Sequence, residues 1–401
     1  MRHALPLVFA FLLAPALRAA EVPSYKPDTG PHPVASLDTD WTDPARDNRT
    51  IPVRIYYPRD LDKTGQKFPV IVFSHGLGSG RGAYGLWSQH WASHGYIVIH
   101  PQHVGSDISI ARNPSPTAFT DAINVQTGLD RVLDIHFVLD QAEKLNAGTL
   151  PPAPGASQAT AAALAAMKNH LDLDHIGMAG HSFGAHTTLA VCGMTYTDSD
   201  GTRKNAGDPR IKAGIAMSPN QSFDTDQKTA FGSIKVPVLH MTGTEDTVFT
   251  IKPRDHRVPF DNASAEAYLI TFTGANHITF TFPLAAGFVG SPPAPPPSPT
   301  ARDAARSNTP RTGNAPRYTP GAGPTPTPAP SAMALPSGPA NLTPATGDAR
   351  AFTRLIRESS TAFWDATLKN DSKARQFLQH DLADALGRDG RLETRNLPAS
   401  K

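Results

Sequence analysis

A serine hydroxyl becomes a useful nucleophile only where the backbone exposes it and a base removes its proton. Gly180-His181-Ser182-Phe183-Gly184 has the form that meets the first need. The pentapeptide follows an apolar run at 175–179 and opens a helical pattern at 185–191. A tight strand-to-helix turn lifts such a serine above a sheet, and its crowding demands small residues two before and two after, here Gly180 and Gly184. The base and its orienting acid should follow in the order Ser, Asp or Glu, His, each beyond a strand end. Thr244-Glu245-Asp246 follows the run 236–241, and Ala275-Asn276-His277 follows the run 267–272. Asp246 is the expected acid, although Glu245 beside it is equally acidic, and His277 is the expected base. Acyl transfer also needs backbone N–H donors aimed at the developing oxyanion. Phe183, next to the nucleophile, should give one, and Leu77 in Ser74-His75-Gly76-Leu77-Gly78 the other.

The elements that must position these residues are legible as alternation. Short β-branched runs at 53–57, 70–74, 96–100, 175–179, 213–217, 236–241 and 267–272 read as strands. Several are continuous apolar stretches, as expected where helices cover both faces of a parallel sheet. Helical patterns occupy 84–94, closed by Gly95, and 121–145, with apolar residues three to four apart. A Pro-rich loop at 149–158 precedes an Ala-rich helix at 159–170, and a last helical pattern runs over 351–370. The alternation predicts an α/β fold with a mostly parallel sheet and helices on both faces.

Composition narrows the function classes. The 401 residues carry 37 Lys and Arg against 35 Asp and Glu, which lacks the basic excess of a dedicated nucleic-acid binder. The single cysteine, Cys192, excludes an intrachain disulfide and a cysteine zinc cluster, and it reads as a small buried hydrophobe. Residues 1–20 have the layout of an export signal: a short basic start, an apolar stretch and Ala19-Ala20. A secreted or periplasmic location is therefore expected, and no apolar run is long enough to span a bilayer. Residues 291–350 hold 16 of the 39 prolines and almost no large apolar groups, so disorder is expected there. Gly78-Ser79-Gly80-Arg81-Gly82-Ala83 fits a loose dinucleotide-binding pattern. However, no acid follows until Asp107, beyond the end of the next strand where the ribose would need one. His100 and His103 have no identifiable third metal ligand, and Trp87 and Trp91, four apart, read as core. No cofactor or metal is expected.

Ser74–Gly78, Ala92-Ser-His-Gly-Tyr-Ile-Val98, Gly105-Ser-Asp107 and Gly180–Gly184 together resemble the α/β-hydrolase superfamily. More narrowly they are similar to the branch holding platelet-activating-factor acetylhydrolases and bacterial predicted dienelactone hydrolases. Asp208-Pro-Arg-Ile-Lys-Ala213, Met217-Ser-Pro219 and Ala362-Phe-Trp364 resemble that branch too. The resemblance implies Ser182, Asp246 and His277 as the triad and Leu77 and Phe183 as oxyanion donors, the same residues that chain order selects. True dienelactone hydrolases use cysteine where Ser182 stands. The expected organisation is a signal at 1–20, a hydrolase domain at 21–290, a Pro-rich insertion at 291–350, a C-terminal helix of the same domain at 351–385 and a tail at 386–401. The expected activity is that of an exported serine carboxylic-ester hydrolase on short-acyl esters. A polyester depolymerase or lipase on insoluble substrates is the alternative, and a non-catalytic binding protein on the same scaffold is a third.

Overall fold

The computed structural model describes residues 22–112, 115, 117–198, 200–224, 226–281 and 345–398. The expected export signal and residues 291–344 of the Pro-rich segment lie outside the described residues.

The strands are β1 (Val34–Asp43), β2 (Arg49–Pro58), β3 (Phe68–Ser74), β4 (Ile97–Pro101), β5 (Leu171–His181), β6 (Thr195–Thr197), β7 (Arg203–Asn205), β8 (Ile211–Met217), β9 (Val238–Glu245), β10 (Ala267–Asn276) and β11 (Gly390–Arg395). Nine of them form one sheet in the order β1-β2-β4-β3-β5-β8-β9-β10-β11, while β6 and β7 pair separately. The run from β4 to β10 is parallel, and β1, β2 and β11 add antiparallel edges. This is the mostly parallel sheet that the alternation predicts, and it is α/β-hydrolase-like, as the motif resemblance implies.

The longer helices are α1 (Gly85–Ser93), α2 (Val125–Ala147), α3 (Gln158–Ala166), α4 (Phe183–Val191) and α5 (Ala349–Leu368). The pattern over 121–145 starts its long helix only at Val125, because the Asn124 side chain caps it by accepting from the Thr127 N–H. Gly148 ends that helix in the left-handed conformation, with φ of 72°.

Strand β3 shows why its sequence is apolar throughout. Val70 and Val72 pack with Ile135, Val138 and Leu139 of α2, whereas Ile71 and Phe73 pack with Trp87 and Trp91 of α1 and Trp364 of α5. Successive side chains point to opposite faces, so two covered faces require every position to be apolar. Each fully buried aliphatic or aromatic side chain there contributes roughly 1.5–3 kcal/mol. No helix among the described residues is long and apolar enough to cross a membrane.

Two edge strands were not legible. In β1, buried Leu37, Thr39, Trp41 and Asp43 alternate with exposed Ser36, Asp38, Asp40 and Thr42, so the strand shows no apolar run. In β11, Arg391-Leu-Glu-Thr-Arg lacks an apolar run, yet it pairs with β10 from Ala267↔Arg395 to Phe272↔Gly390. Residues expected as a tail thus complete the sheet. Helix α5 is tied back through Asp365, which accepts from Tyr25 Oη at 2.9 Å and Tyr96 Oη at 2.7 Å.

One topological fact places the site. The chain runs from β3 outward to β4, then returns to lay β5 on the other side of β3. Loops leaving the carboxyl ends of β3 and β5 therefore diverge, and the crevice between them is where open α/β sheets bind ligands.

Trp364 is fully buried, makes an edge-on contact with Trp91 at 5.9 Å, and lies where a Cβ on Gly177 would come within 2.6 Å. Trp364→Ala should lower the unfolding free energy by about 3–5 kcal/mol in denaturant titration. Leu133→Ala, on the exposed face of α2, should change it by less than about 0.5 kcal/mol.

Candidate active site

Ser182 sits between β5 and α4 with φ 56° and ψ −119°, an unfavourable conformation for a residue with a side chain. Such strain costs about 1–3 kcal/mol and persists only where neighbours enforce it. They do so here: the Ser182 N–H donates to the Met217 carbonyl of β8 at 2.9 Å. A Cβ on Gly184 would lie 1.9 Å from the Ser74 carbonyl oxygen, and one on Gly180 would lie 2.3 Å from the Gly184 oxygen. The two glycines let the turn close against the end of β3, leaving Ser182 half-buried at the mouth of the crevice.

Asp246 follows β9 and is wholly buried. Its Oδ1 lies 2.8 Å from His277 Nδ1. Its Oδ2 accepts from Ser218 Oγ at 2.6 Å and Thr242 Oγ1 at 2.9 Å. A second histidine, His256, brings Nε2 to 3.1 Å from Oδ1, with the N–H direction off the oxygen, while its Nδ1 donates to the Pro219 carbonyl at 2.8 Å. Burial alone would raise the Asp246 pKa, but His256 and His277 hold it well below the usual carboxylate range. Burial would lower that of His256, and the carboxylate raises it. A carboxylate held low in the folded state stabilises the fold above its unfolded value near ~4 and loses that contribution as pH falls toward the folded value. Glu245, the alternative acid, ends β9 without meeting His277, so the structure brings Asp246 and not Glu245 to the base.

His277 opens a short helical turn after β10, fixed by a capping box between Asn276 and Thr279. Among the described residues no hydrogen bond joins the Ser182 hydroxyl to His277, and such bonds often tighten only with substrate in place. The two are linked instead through His181. Its Nε2–H donates to the His277 carbonyl at 2.9 Å, its Nδ1 accepts from Tyr84 Oη at 2.9 Å, and Tyr84 in turn accepts from the Gly76 N–H at 3.2 Å. Burial, then the nearby His277, keeps His181 neutral by lowering its pKa well below the ordinary value. This relay ties the β3 loop, the serine turn and the histidine loop together.

The two expected oxyanion donors lie in neighbouring segments. Phe183 is the first residue of α4, where a helix N–H has no intrahelical partner, and Leu77 lies in the β3 loop against which Gly184 packs. Neither N–H has a hydrogen-bond partner among the described residues. A cavity of about 290 Å³ opens beside Phe183, walled by Ile123, Phe223 and Ile251, with Gln221 and Asp255 on its polar side.

His100 and His103 are held by hydrogen bonds within the fold. His100 Nε2 meets Ser88 Oγ at 2.6 Å, and its ring stacks on Phe73. His103 bridges Ser74 Oγ at 2.9 Å and Asp134 Oδ2 at 3.0 Å. Cys192 is buried, which pushes its thiol up to about 12. Asp246, His256 and His277 have converging ligand atoms, within 4.8 Å of one another among the described residues. Two of the four ring nitrogens are hydrogen-bonded to protein acceptors, His277 Nδ1 to Asp246 and His256 Nδ1 to the Pro219 carbonyl. Tyr84 and His256 were not foreseen as site residues, because they join His181 and Pro219, 97 and 37 residues away, and leave no local spacing signal; Thr242 lies only four residues before Asp246 and was legible inside the same segment. Ser218 was visible only inside Met217-Ser218-Pro219.

The family described as platelet-activating factor acetylhydrolase, isoform II, matches residues 60–288. The platelet-activating factor acetylhydrolase of Cavia porcellus is 28% identical over 178 residues, covering 39% of this chain and 36% of the relative. That of Bos taurus is 28% identical over 176 residues with the same coverage. The matched stretch thus spans about a third of these curated relatives.

Asp246→Asn should lower kcat on an activated ester by about 10³–10⁴-fold through loss of imidazole orientation. Glu245→Gln should stay within about threefold, and comparing the two rates identifies which acid works with His277.

Proposed function

We propose, on the premise that the chain belongs to the platelet-activating factor acetylhydrolase isoform II family of hydrolases, that it is a serine carboxylic-ester hydrolase acting through an acyl-enzyme. The observation that carries this reading is the buried Asp246–His277 pair, at 2.8 Å, set beside a strained serine turn. Ser182 attacks the ester carbonyl as His277 Nε2 takes its proton. Asp246 accepts from Nδ1 and so holds the proton-accepting nitrogen toward the serine. The oxyanion of the tetrahedral intermediate is met by the N–H groups of Leu77 and Phe183. The imidazolium then protonates the leaving alcohol. Water, deprotonated by the same histidine, releases the acid in the second half-reaction. None of these steps needs a metal or cofactor.

A cavity of about 290 Å³ lies at the small end of ligand pockets, which favours a short acyl group or a compact substrate. A second reading, an esterase of insoluble polyesters or lipids, is favoured by the apolar rim of the same cavity. Ile123 and Phe223 line it and still expose 37% and 45% of their surface. Export to a secreted or periplasmic location rests on residues 1–20, and cell fractionation with N-terminal sequencing of the recovered protein should find the chain starting near residue 21.

A series of p-nitrophenyl esters from acetyl to long acyl, beside emulsions and polyester films, separates the two readings. Fastest turnover on short soluble esters, lost by at least about 10³-fold in Ser182→Ala, is the expected result. Preference for films or emulsions would keep the mechanism and favour the second reading. Equal rates in both proteins would exclude Ser182 as the nucleophile and leave a binding protein.

A further inference from the structure

We propose that His75 is a positioning residue for the oxyanion hole, holding the Gly76–Leu77 peptide so that the Leu77 N–H faces the reacting carbonyl. The inference rests on the ester-hydrolase reading above and extends it to a residue that touches neither substrate nor triad.

The tautomer of His75 is set by its partners. Nε2 accepts from the His103 backbone N–H at 3.0 Å, so the ring proton sits on Nδ1, and Nδ1–H donates to the Gly76 carbonyl at 2.7 Å. That carbonyl and the Leu77 N–H belong to one peptide unit. In a trans peptide the two point in opposite directions, so pinning the oxygen on one side aims the N–H to the other. The Ser79 N–H also reaches the Gly76 carbonyl, at the longer distance of 3.2 Å. The preceding peptide is fixed as well: the Gly76 N–H donates to Tyr84 Oη, and the His75 carbonyl accepts from Arg131.

Arg131 is what gives this arrangement its rigidity. It is fully buried on α2 and spreads its N–H groups over three segments. Nη2 meets Ser74 Oγ at 3.0 Å beside the His75 carbonyl, Nη1 meets Ser106 Oγ at 2.7 Å, and Nε meets Thr187 Oγ1 of α4 at 3.0 Å. Thr187 in turn donates to the Phe183 carbonyl at 3.0 Å. One guanidinium thus spans the loop carrying one oxyanion donor and the helix carrying the other. Burial, then the charge of Arg131 and His103 nearby, keeps the His75 ring neutral, so a single tautomer persists across the working pH range.

The test compares wild type, His75→Phe and His75→Asn with p-nitrophenyl acetate as substrate and phenylboronic acid as a tetrahedral adduct former. Phenylalanine keeps the volume and loses Nδ1–H, whereas the asparagine amide can restore a donor near the same place. The expected result is a fall in kcat of about 10–100-fold for His75→Phe with KM within about threefold, because a misaimed donor costs transition-state binding. Boronate affinity should weaken by a similar factor, and His75→Asn should recover most of both. A kcat within twofold of wild type in a folded His75→Phe would overturn the proposal, as would equal losses in both variants. Should His75→Phe not fold, ¹⁵N NMR of the wild-type imidazole decides: a neutral Nδ1–H ring whose proton signal moves on boronate binding is expected, and an Nε2–H ring or an unmoved signal overturns it. Failure of the ester-hydrolase reading is separately visible, as a wild type without esterase activity or a Ser182→Ala that retains it.

Discussion

A carboxylate with none of its surface in water must find its hydrogen-bond donors inside the protein, and Asp246 collects them from three segments, with a fourth packed against it. Ser218 comes from the end of β8, Thr242 from within β9 and His277 from the turn after β10, while His256, in the loop after β9, brings its ring to 3.1 Å from the same carboxylate. Leaving such a charge unpaired would cost several kcal/mol, so these segments cannot move independently. The parallel sheet makes the convergence possible, because consecutive strands deliver their carboxyl ends to the same edge. The loop that presents His256 also carries Ile251 and Asp255, two cavity-lining residues. The carboxylate that meets His277 is therefore tied to the wall of the cavity beside Phe183.

The opposite side of the crevice is organised by a buried cation. Arg131 and Asp134 lie one helical turn apart on α2, and both are fully buried. Asp134 is compensated by Arg49 at 2.8 Å and by His103. Arg131 instead hydrogen-bonds only hydroxyls and a carbonyl, and its guanidinium lies 4.7 Å from the Phe183 ring centroid. A guanidinium whose direct partners are all neutral lies beside the two segments that carry Leu77 and Phe183, where its field would favour a negative charge developing at their N–H groups.

That network also contains a look-alike of the catalytic arrangement. Ser74 Oγ, His103 and Asp134 are joined at 2.9 and 3.0 Å in the order hydroxyl, imidazole, carboxylate. Connectivity alone would nominate Ser74 as a nucleophile. Its surroundings disqualify it: Ser74 has no exposed surface, and its oxygen accepts from Arg131, which removes electron density from the atom that would attack. Ser182 differs in being strained, half-buried and beside a cavity. Exposure and strain separate the candidate site from this structural look-alike.

Much of this was written in the order of residues. Apolar runs marked β3, β4, β5, β8, β9 and β10 because strands buried on both faces have no polar positions to hide them. Gly180 and Gly184 marked the serine turn because close approach of the backbone admits no other side chain there. The edge strands β1 and β11 escaped because one open face makes their composition ordinary. The sequence by itself determined the kind of sheet and the position of each loop at a strand end, since both follow from local periodicity and chain order. Tertiary structure alone decided that Asp246 rather than its neighbour Glu245 meets His277, that His181 bridges Tyr84 and the histidine loop, and that Arg131 and His75 underlie the oxyanion side. Those choices depend on which way a side chain points after strands distant in sequence come together, and no local pattern encodes that direction.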